Sequence, residues 1–127
     1  MLFLIDPHSG VPAYRQLLEQ VKFHIASGLL KPGDELPSTR ALSAELRLNP
    51  MTISKAYQLL EHEGVLERRR GQTLTVAALP EKAQQTHKLD QLRQLLVPAA
   101  TAARQMEVPP QQAAAMLRDL MQKNPPA

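Results

Sequence analysis

The turn Leu48-Asn49-Pro50 constrains this chain more than any other feature, because it joins two segments that each carry an apolar stripe of helical spacing. Before the turn, Ala41, Leu42 and Leu46 mark one face of a helix that begins at Ser38 and ends near Arg47. Pro37 sets the boundary, and the Ser38 side chain suits the free amides of a first helical turn. After the turn, Ile53, Ala56, Tyr57 and Leu60 follow at i, i+3, i+4 and i+7. Asn49 is a strong N-cap, and Pro50 at the first helical position gives up an N–H that would have no helical partner there. Gly64 ends the helix. The polar side carries Thr52, Ser54, Lys55, Gln58 and Glu61, and Tyr57 is read as a core residue because it lies on the Ile53–Leu60 face.

The flanking segments complete an order. A first helix is expected from Pro12 to Ser27, with Tyr14, Leu17, Leu18, Val21 and Ile25 on one face and Gly28 as a left-handed cap. Pro32-Gly33-Asp34 makes a turn, and Leu29, Leu30 and Leu36 are expected to tuck under the helices. Val65–Arg69 and Thr73–Val76 flank Arg70-Gly71-Gln72 and read as a hairpin, with Thr73 and Thr75 alternating against Leu74 and Val76 as in a half-buried strand. Leu2–Ile5 is expected as an edge strand. Helix, helix, turn, helix, hairpin is the order of a winged helix–turn–helix, so the fold class is mainly α with a small β-hairpin. Residues 1–77 form this module. Residues 81–127 form a helical tail, with one long helix from Glu81 to about Met106 that Pro98 should kink or break, and a second opened by Pro109-Pro110 and stopped by Lys123-Asn124-Pro125.

Composition narrows the function classes. The formal net charge is +3, and the basic residues cluster at Arg68, Arg69 and Arg70 while acids are scattered, which fits a phosphate-facing surface. With no cysteine there is no disulfide framework, thiolate zinc site or cysteine nucleophile. His8, His24, His62 and His87 lack paired metal spacing, so no metal ligand is assigned. Asp6, His8 and Ser9 are neighbours in sequence, but a catalytic triad is defined by geometry and not by adjacency. No glycine-rich phosphate loop is present. No catalytic residue and no cofactor is assigned, and the chain is not read as an enzyme. The apolar run Met1–Ile5 is too short for a signal peptide or a membrane span, so a cytoplasmic protein without a membrane partner is expected.

The residues Pro12-x-Tyr14-x-Gln16-Leu17, Gly28-x-Leu30-x-Pro32-Gly33-Asp34-x-Leu36-Pro37-Ser38-x-Arg40-x-Leu42, Asn49-Pro50-x-Thr52-Ile53-x-Lys55-Ala56-Tyr57 and Glu61-x-Glu63-Gly64-x-Leu66 resemble the DNA-binding domain of GntR-type bacterial regulators over residues 3–77. The tail is similar to that of the YtrA-like subfamily, whose members carry a short helical extension in place of a large effector domain. The resemblance implies a homodimeric transcription regulator, a repressor, acting on double-stranded DNA. It makes the tail the dimerisation unit, through Leu89, Leu92, Leu95, Leu96, Ala99, Ala103 and Met106 on the first tail helix and Met116, Leu117, Leu120 and Met121 on the second. It also places a DNA-contacting arginine at Arg40. One departure is visible: the family wing has Gly-x-Gly at its tip, and Thr73 stands at the second glycine's place after Gly71.

The DNA face follows from helix–turn–helix geometry, in which the N-terminal residues of the second helix reach base edges in the major groove. Here these are Asn49, Pro50, Met51, Thr52, Ser54 and Lys55. Met51 suits a thymine methyl, the hydroxyls suit several base edges, and Lys55 suits a guanine or a phosphate. Ser38 and Thr39 bring hydroxyls and free amides to a helix N-terminus, a natural phosphate site, and Arg40 adds a planar fork. Arg68, Arg69, Arg70 and Gly71 belong to the wing and are assigned to the adjacent minor groove. The competing class is a winged helix used as a protein-interaction module with no operator of its own. A hydroxylic and cationic recognition face favours DNA over that reading. An unknown small-molecule effector is compatible with the chain, although ligand pockets measure about 300–1,000 Å³ and the tail alone is short for enclosing one.

Overall fold

The computed structural model describes residues 2–69 and 73–123. The chain divides into two compact units, Met1–Gln91 and Leu92–Ala127. The first contains α1 (Ala13–Ser27), α2 (Thr39–Leu46), α3 (Pro50–His62), β1 (Leu66–Arg68), β2 (Leu74–Val76) and the head of α4 (Glu81–Gln105). The second contains the rest of α4 and α5 (Pro110–Lys123).

Local chemistry accounts for most element boundaries. Pro12 is the cap residue of α1 and not its first helical residue, with extended ψ of 144°. Gly28 ends α1 at φ 87°, a conformation that an L side chain resists, and its N–H reaches back to the Ile25 carbonyl. The Ser38 hydroxyl accepts the Ala41 N–H at 3.0 Å to start α2. Arg47 closes α2 in the left-handed region at φ 56°, where glycine would be the ordinary choice. The conformation is held from beyond the turn: the Leu48 N–H donates to the Ser43 carbonyl, and the Ser43 hydroxyl donates to the Leu48 carbonyl.

The core of the first unit is one apolar cluster. The α1 stripe (Leu17, Leu18, Val21), Leu42 of α2 and the α3 stripe (Ile53, Ala56, Tyr57, Leu60) meet Phe3, Leu30, Leu36, Val65, Leu66, Leu74 and Val76. Helix α3 is the hub, packing on α1, on α2 and on β1. Leu30 and Leu36 are buried as expected, but Leu29 is 59% exposed. Gly28 turns the chain immediately before it, so of the Leu29-Leu30 pair only Leu30 reaches the core.

Three further expectations are corrected. Leu2–Ile5 is not a strand. Its backbone is held by side chains of α1: Gln20 pairs with both the N–H and the carbonyl of Leu4, and Gln16 does the same for Asp6. His24 donates from Nε2 to the Leu2 carbonyl. Carboxamides carry a donor and an acceptor, so glutamines one helical turn apart imitate the edge of a sheet. Second, β2 does not alternate. Leu74, Thr75 and Val76 are all buried, because β2 is flanked on both sides. It pairs antiparallel with β1 in the register Leu66↔Val76, Glu67↔Thr75, Arg68↔Leu74, and the segment at Glu35 bridges to Thr75 from the other side. Gly33 and Leu36 donate to the carbonyls of Val76 and Leu74, and Val76 donates to Asp34. Third, of the kink or break expected at Pro98, the break is absent: α4 continues through it. A proline removes one helical hydrogen bond. Pro98 and Gln94, whose carbonyl is left without that donor, are both exposed, so water can satisfy it.

In the first unit the head of α4 is tied to α1, where His87 donates from Nε2 to the Lys22 carbonyl at 3.2 Å. Within the second unit, α4 and α5 are joined at Met106–Pro109. Glu107 takes a left-handed φ of 58° and the Val108 N–H returns to the Ala103 carbonyl, a helix-end motif that usually carries glycine. The two helices face an open apolar hollow of about 560 Å³. Among the described residues no helix is long and apolar enough to cross a membrane.

Candidate nucleic-acid interface

The exposed side of α3 is built by its cap. Asn49 Oδ1 accepts the Met51 N–H at 2.8 Å, and this starts the helix directly after the turn, with Pro50 as its first residue. The cap leaves the Asn49 amide nitrogen as its outward donor. Burial of Ile53, Ala56, Tyr57 and Leu60 then fixes the rotation of α3. Met51 is 75% exposed, Lys55 and Gln58 are exposed, and Thr52 and Ser54 are half-buried. Met51, Thr52, Ser54, Lys55 and Gln58 line a shallow hollow together with Tyr14 from the first turn of α1. The Lys55 ammonium lies 4.0 Å from the centre of the Tyr14 ring.

A second group forms at the head of α2. Ser38, Thr39 and Arg68 line a cleft with Glu35 and Thr73, between the α2 N-terminus and the base of the wing. Ser38 keeps its hydroxyl hydrogen as a donor while its oxygen caps the helix. Arg40 is exposed and pairs with no carboxylate among the described residues. Arg68 lies 3.7 Å from Glu61, a loose ion pair between β1 and α3. Arg69 is exposed, and its backbone N–H donates to the Thr73 carbonyl at 2.8 Å, which closes the described part of the hairpin. Arg70 and Gly71 lie outside the described residues.

A hydrogen bond links the two groups, beside the apolar packing of α2 on α3. The Tyr57 hydroxyl, on the buried face of α3, donates at 2.8 Å to the Pro37 carbonyl just before the α2 cap. Burial pushes the Tyr57 phenol above its usual range, which keeps the proton on the donor. Sequence reasoning assigned Tyr57 to the core correctly and missed this hydroxyl contact. It also missed Tyr14 and Glu35 as neighbours of the candidate residues. Gln58 was legible, since it stands one turn after Ser54 on the polar side of α3.

The expected dimerisation residues divide between the units. Leu89 belongs to the first unit and is exposed. Leu96, Ala99, Ala103 and Met106 of α4 and Met116, Leu117 and Leu120 of α5 line the apolar hollow of the second. Leu92, Leu95 and Met121 are exposed outside that lining. Among the described residues no cluster of histidine, aspartate and glutamate has an arrangement that could hold a metal ion.

A capped helix set on two supporting helices and followed by a β-hairpin defines a winged helix–turn–helix protein. The family model described as "Bacterial regulatory proteins, gntR family" matches residues 13–76, and the chain belongs to this GntR family of transcriptional regulators. It is 38% identical over 107 residues to the HTH-type transcriptional repressor YtrA of Bacillus subtilis, covering 81% of this chain and 82% of that protein. Among solved structures it is similar to YtrA from Sulfolobus acidocaldarius, a GntR-family transcription factor, at 33% identity and a TM-score of 0.59, covering 80% of this chain and 99% of that one. A GntR family transcriptional regulator from Listeria monocytogenes shares the fold, with a TM-score of 0.74 over 87% of this chain and 96% of that one at 23% identity.

Proposed function

We propose that this regulator is a cytoplasmic homodimeric repressor that reads a pseudo-palindromic operator. In this reading two copies of α3 enter major grooves of half-sites about one helical turn apart, roughly 34–36 Å. The observation that carries it is the composition of one surface: Met51, Thr52, Ser54 and Lys55 on α3 stand exposed or half-exposed, and the Arg40 guanidinium at the head of α2 pairs with no carboxylate among the described residues. Hydroxyls and a thioether read base edges, while cations meet phosphates. The second copy is supported by the apolar lining of the α4–α5 hollow, which a single chain leaves open to water. The same hollow is wide enough for a small-molecule effector, which would act by competing with or bridging the second copy.

The test is a titration of the intergenic DNA beside the protein's own gene at fixed salt, with the mass in solution measured by light scattering. Arg40→Ala is expected to weaken binding by about tenfold or more, the loss of one charged contact of about 1.4 kcal/mol, while the thermal melt is unchanged. Unchanged affinity would count against the assigned face. A confirmed dimer that binds none of this DNA would favour a protein-interaction role.

A further inference from the structure

We propose that Tyr14 is a positioning residue of the DNA face, its ring holding the Lys55 ammonium in place for a backbone phosphate of the bound duplex. The proposal rests on the reading that the exposed side of α3 meets DNA.

Tyr14 is fixed from behind. It stands in the first turn of α1, half-buried and packed against the core cluster. Helices α1 and α3 pack on each other, so the ring faces the second turn of α3, where Lys55 projects. The ammonium sits 4.0 Å from the ring centre, within reach of the negative face of the π system. No carboxylate among the described residues pairs with Lys55. That difference matters for a DNA-binding surface. A carboxylate partner would cancel the charge that a phosphate needs, whereas an aromatic face restrains the cation and leaves its charge and its outward N–H donors intact. A lysine on a free four-carbon stem would have to be ordered on binding. The ring orders it beforehand.

The location favours phosphate over base. Met51 and Thr52 occupy the leading turn of α3, which helix–turn–helix geometry directs at base edges. Lys55 is drawn sideways toward α1 by the ring. An ammonium there acts as a compact point charge, suited to a phosphate and carrying no base preference.

The experiment uses the full chain and a mixed-sequence duplex at low ionic strength, with affinity followed over a salt series. Phosphate contacts dominate binding to any duplex, so an identified operator is not needed. Lys55→Met should weaken binding and reduce the magnitude of the salt slope by about one. Tyr14→Phe should bind as the parent does, because it keeps the ring. Tyr14→Leu should weaken binding by about two- to fivefold, the range of an exposed cation–π contact, and should cost nothing further when Lys55→Met is already present. Thermal melts of all variants report the fold. No effect of Lys55→Met would overturn the placement of Lys55 at the DNA. An effect of Lys55→Met combined with an equal Tyr14→Leu loss in both backgrounds, or with tighter binding by Tyr14→Leu, would overturn the role of Tyr14 alone.

Discussion

In the first unit Leu17, Ile53, Ala56 and Leu60 recur at helical spacing and have no exposed surface. In the second, Leu96, Ala103, Met116, Leu117 and Leu120 recur at the same spacing and line an open hollow, with Met116 and Leu120 more than half exposed. The periodicity is identical in kind; the partner differs. Helices α1 and α2 and the hairpin supply a cover for the α3 stripe within the chain. Two helices alone cannot close a core around themselves. Burying one leucine is worth roughly 1.5–3 kcal/mol, so several exposed in one lining make a strong preference for a second apolar surface. A helical stripe therefore states that a face will be covered, and chain length around it decides whether the cover is internal.

The largest expected effect breaks the first half of this comparison. Leu60→Ala removes a fully buried side chain where α3 meets the rest of the core. Truncations of this kind destabilise by about 2–5 kcal/mol, depending on how far the site collapses. A urea titration followed by circular dichroism is expected to show a loss in that range for the first unit. A loss below about 1 kcal/mol would mean that the α3 stripe is not the centre of the core.

The next effect addresses the second half. Leu117→Glu with Leu120→Glu places two carboxylates on the apolar lining of the hollow. Both positions are exposed in the single chain, so the cooperative melt of the first unit is expected to stay within about 0.5 kcal/mol. The mass in solution is expected to fall from dimer to monomer by light scattering. DNA affinity should fall at least tenfold, because two linked half-site contacts become independent ones. A variant that remains dimeric would move the proposed interface elsewhere.

The same contrast explains what was legible in the sequence. Features set by neighbours along the chain were readable: the Asn49 cap, Pro50 at the helix start and the left-handed Gly28. So was the α3 stripe, whereas of the α2 stripe Leu42 is buried, Leu46 half-buried and Ala41 exposed. What escaped depends on residues distant in sequence. Thr75 is buried because Glu35 bridges it from across the chain, which a pattern of alternation cannot reveal. The Leu2–Ile5 segment is held by Gln16, Gln20 and His24, polar side chains of α1 whose partners lie 10 to 22 residues away in sequence. Arg47 takes a glycine-like conformation because Ser43 and Leu48 close the turn around it. On the proposed DNA face, the exposure of Met51 and Lys55 follows from the cap and the apolar stripe of α3, whereas the Tyr14–Lys55 contact requires knowing that α1 lies beside α3.

The smallest expected effect separates apolar cover from polar tethering inside the first unit. Tyr57→Phe keeps the buried ring and removes only the hydroxyl that donates to Pro37. A net loss of about 0.5–1.5 kcal/mol is expected in the same urea titration, since an intramolecular hydrogen bond replaces one to water. The Pro37 carbonyl is left to find water at a half-buried position, which puts the loss toward the upper end of that range. Because this bond joins α3 to the residue before the α2 cap, its removal also loosens the spacing between Arg40 and the leading turn of α3. DNA affinity should therefore fall, by less than on Arg40→Ala. Unchanged stability and affinity would show that apolar burial alone sets the angle between the two helices. The first unit would then be organised by the same force expected to close the second, and the two regions would differ only in where the covering surface comes from.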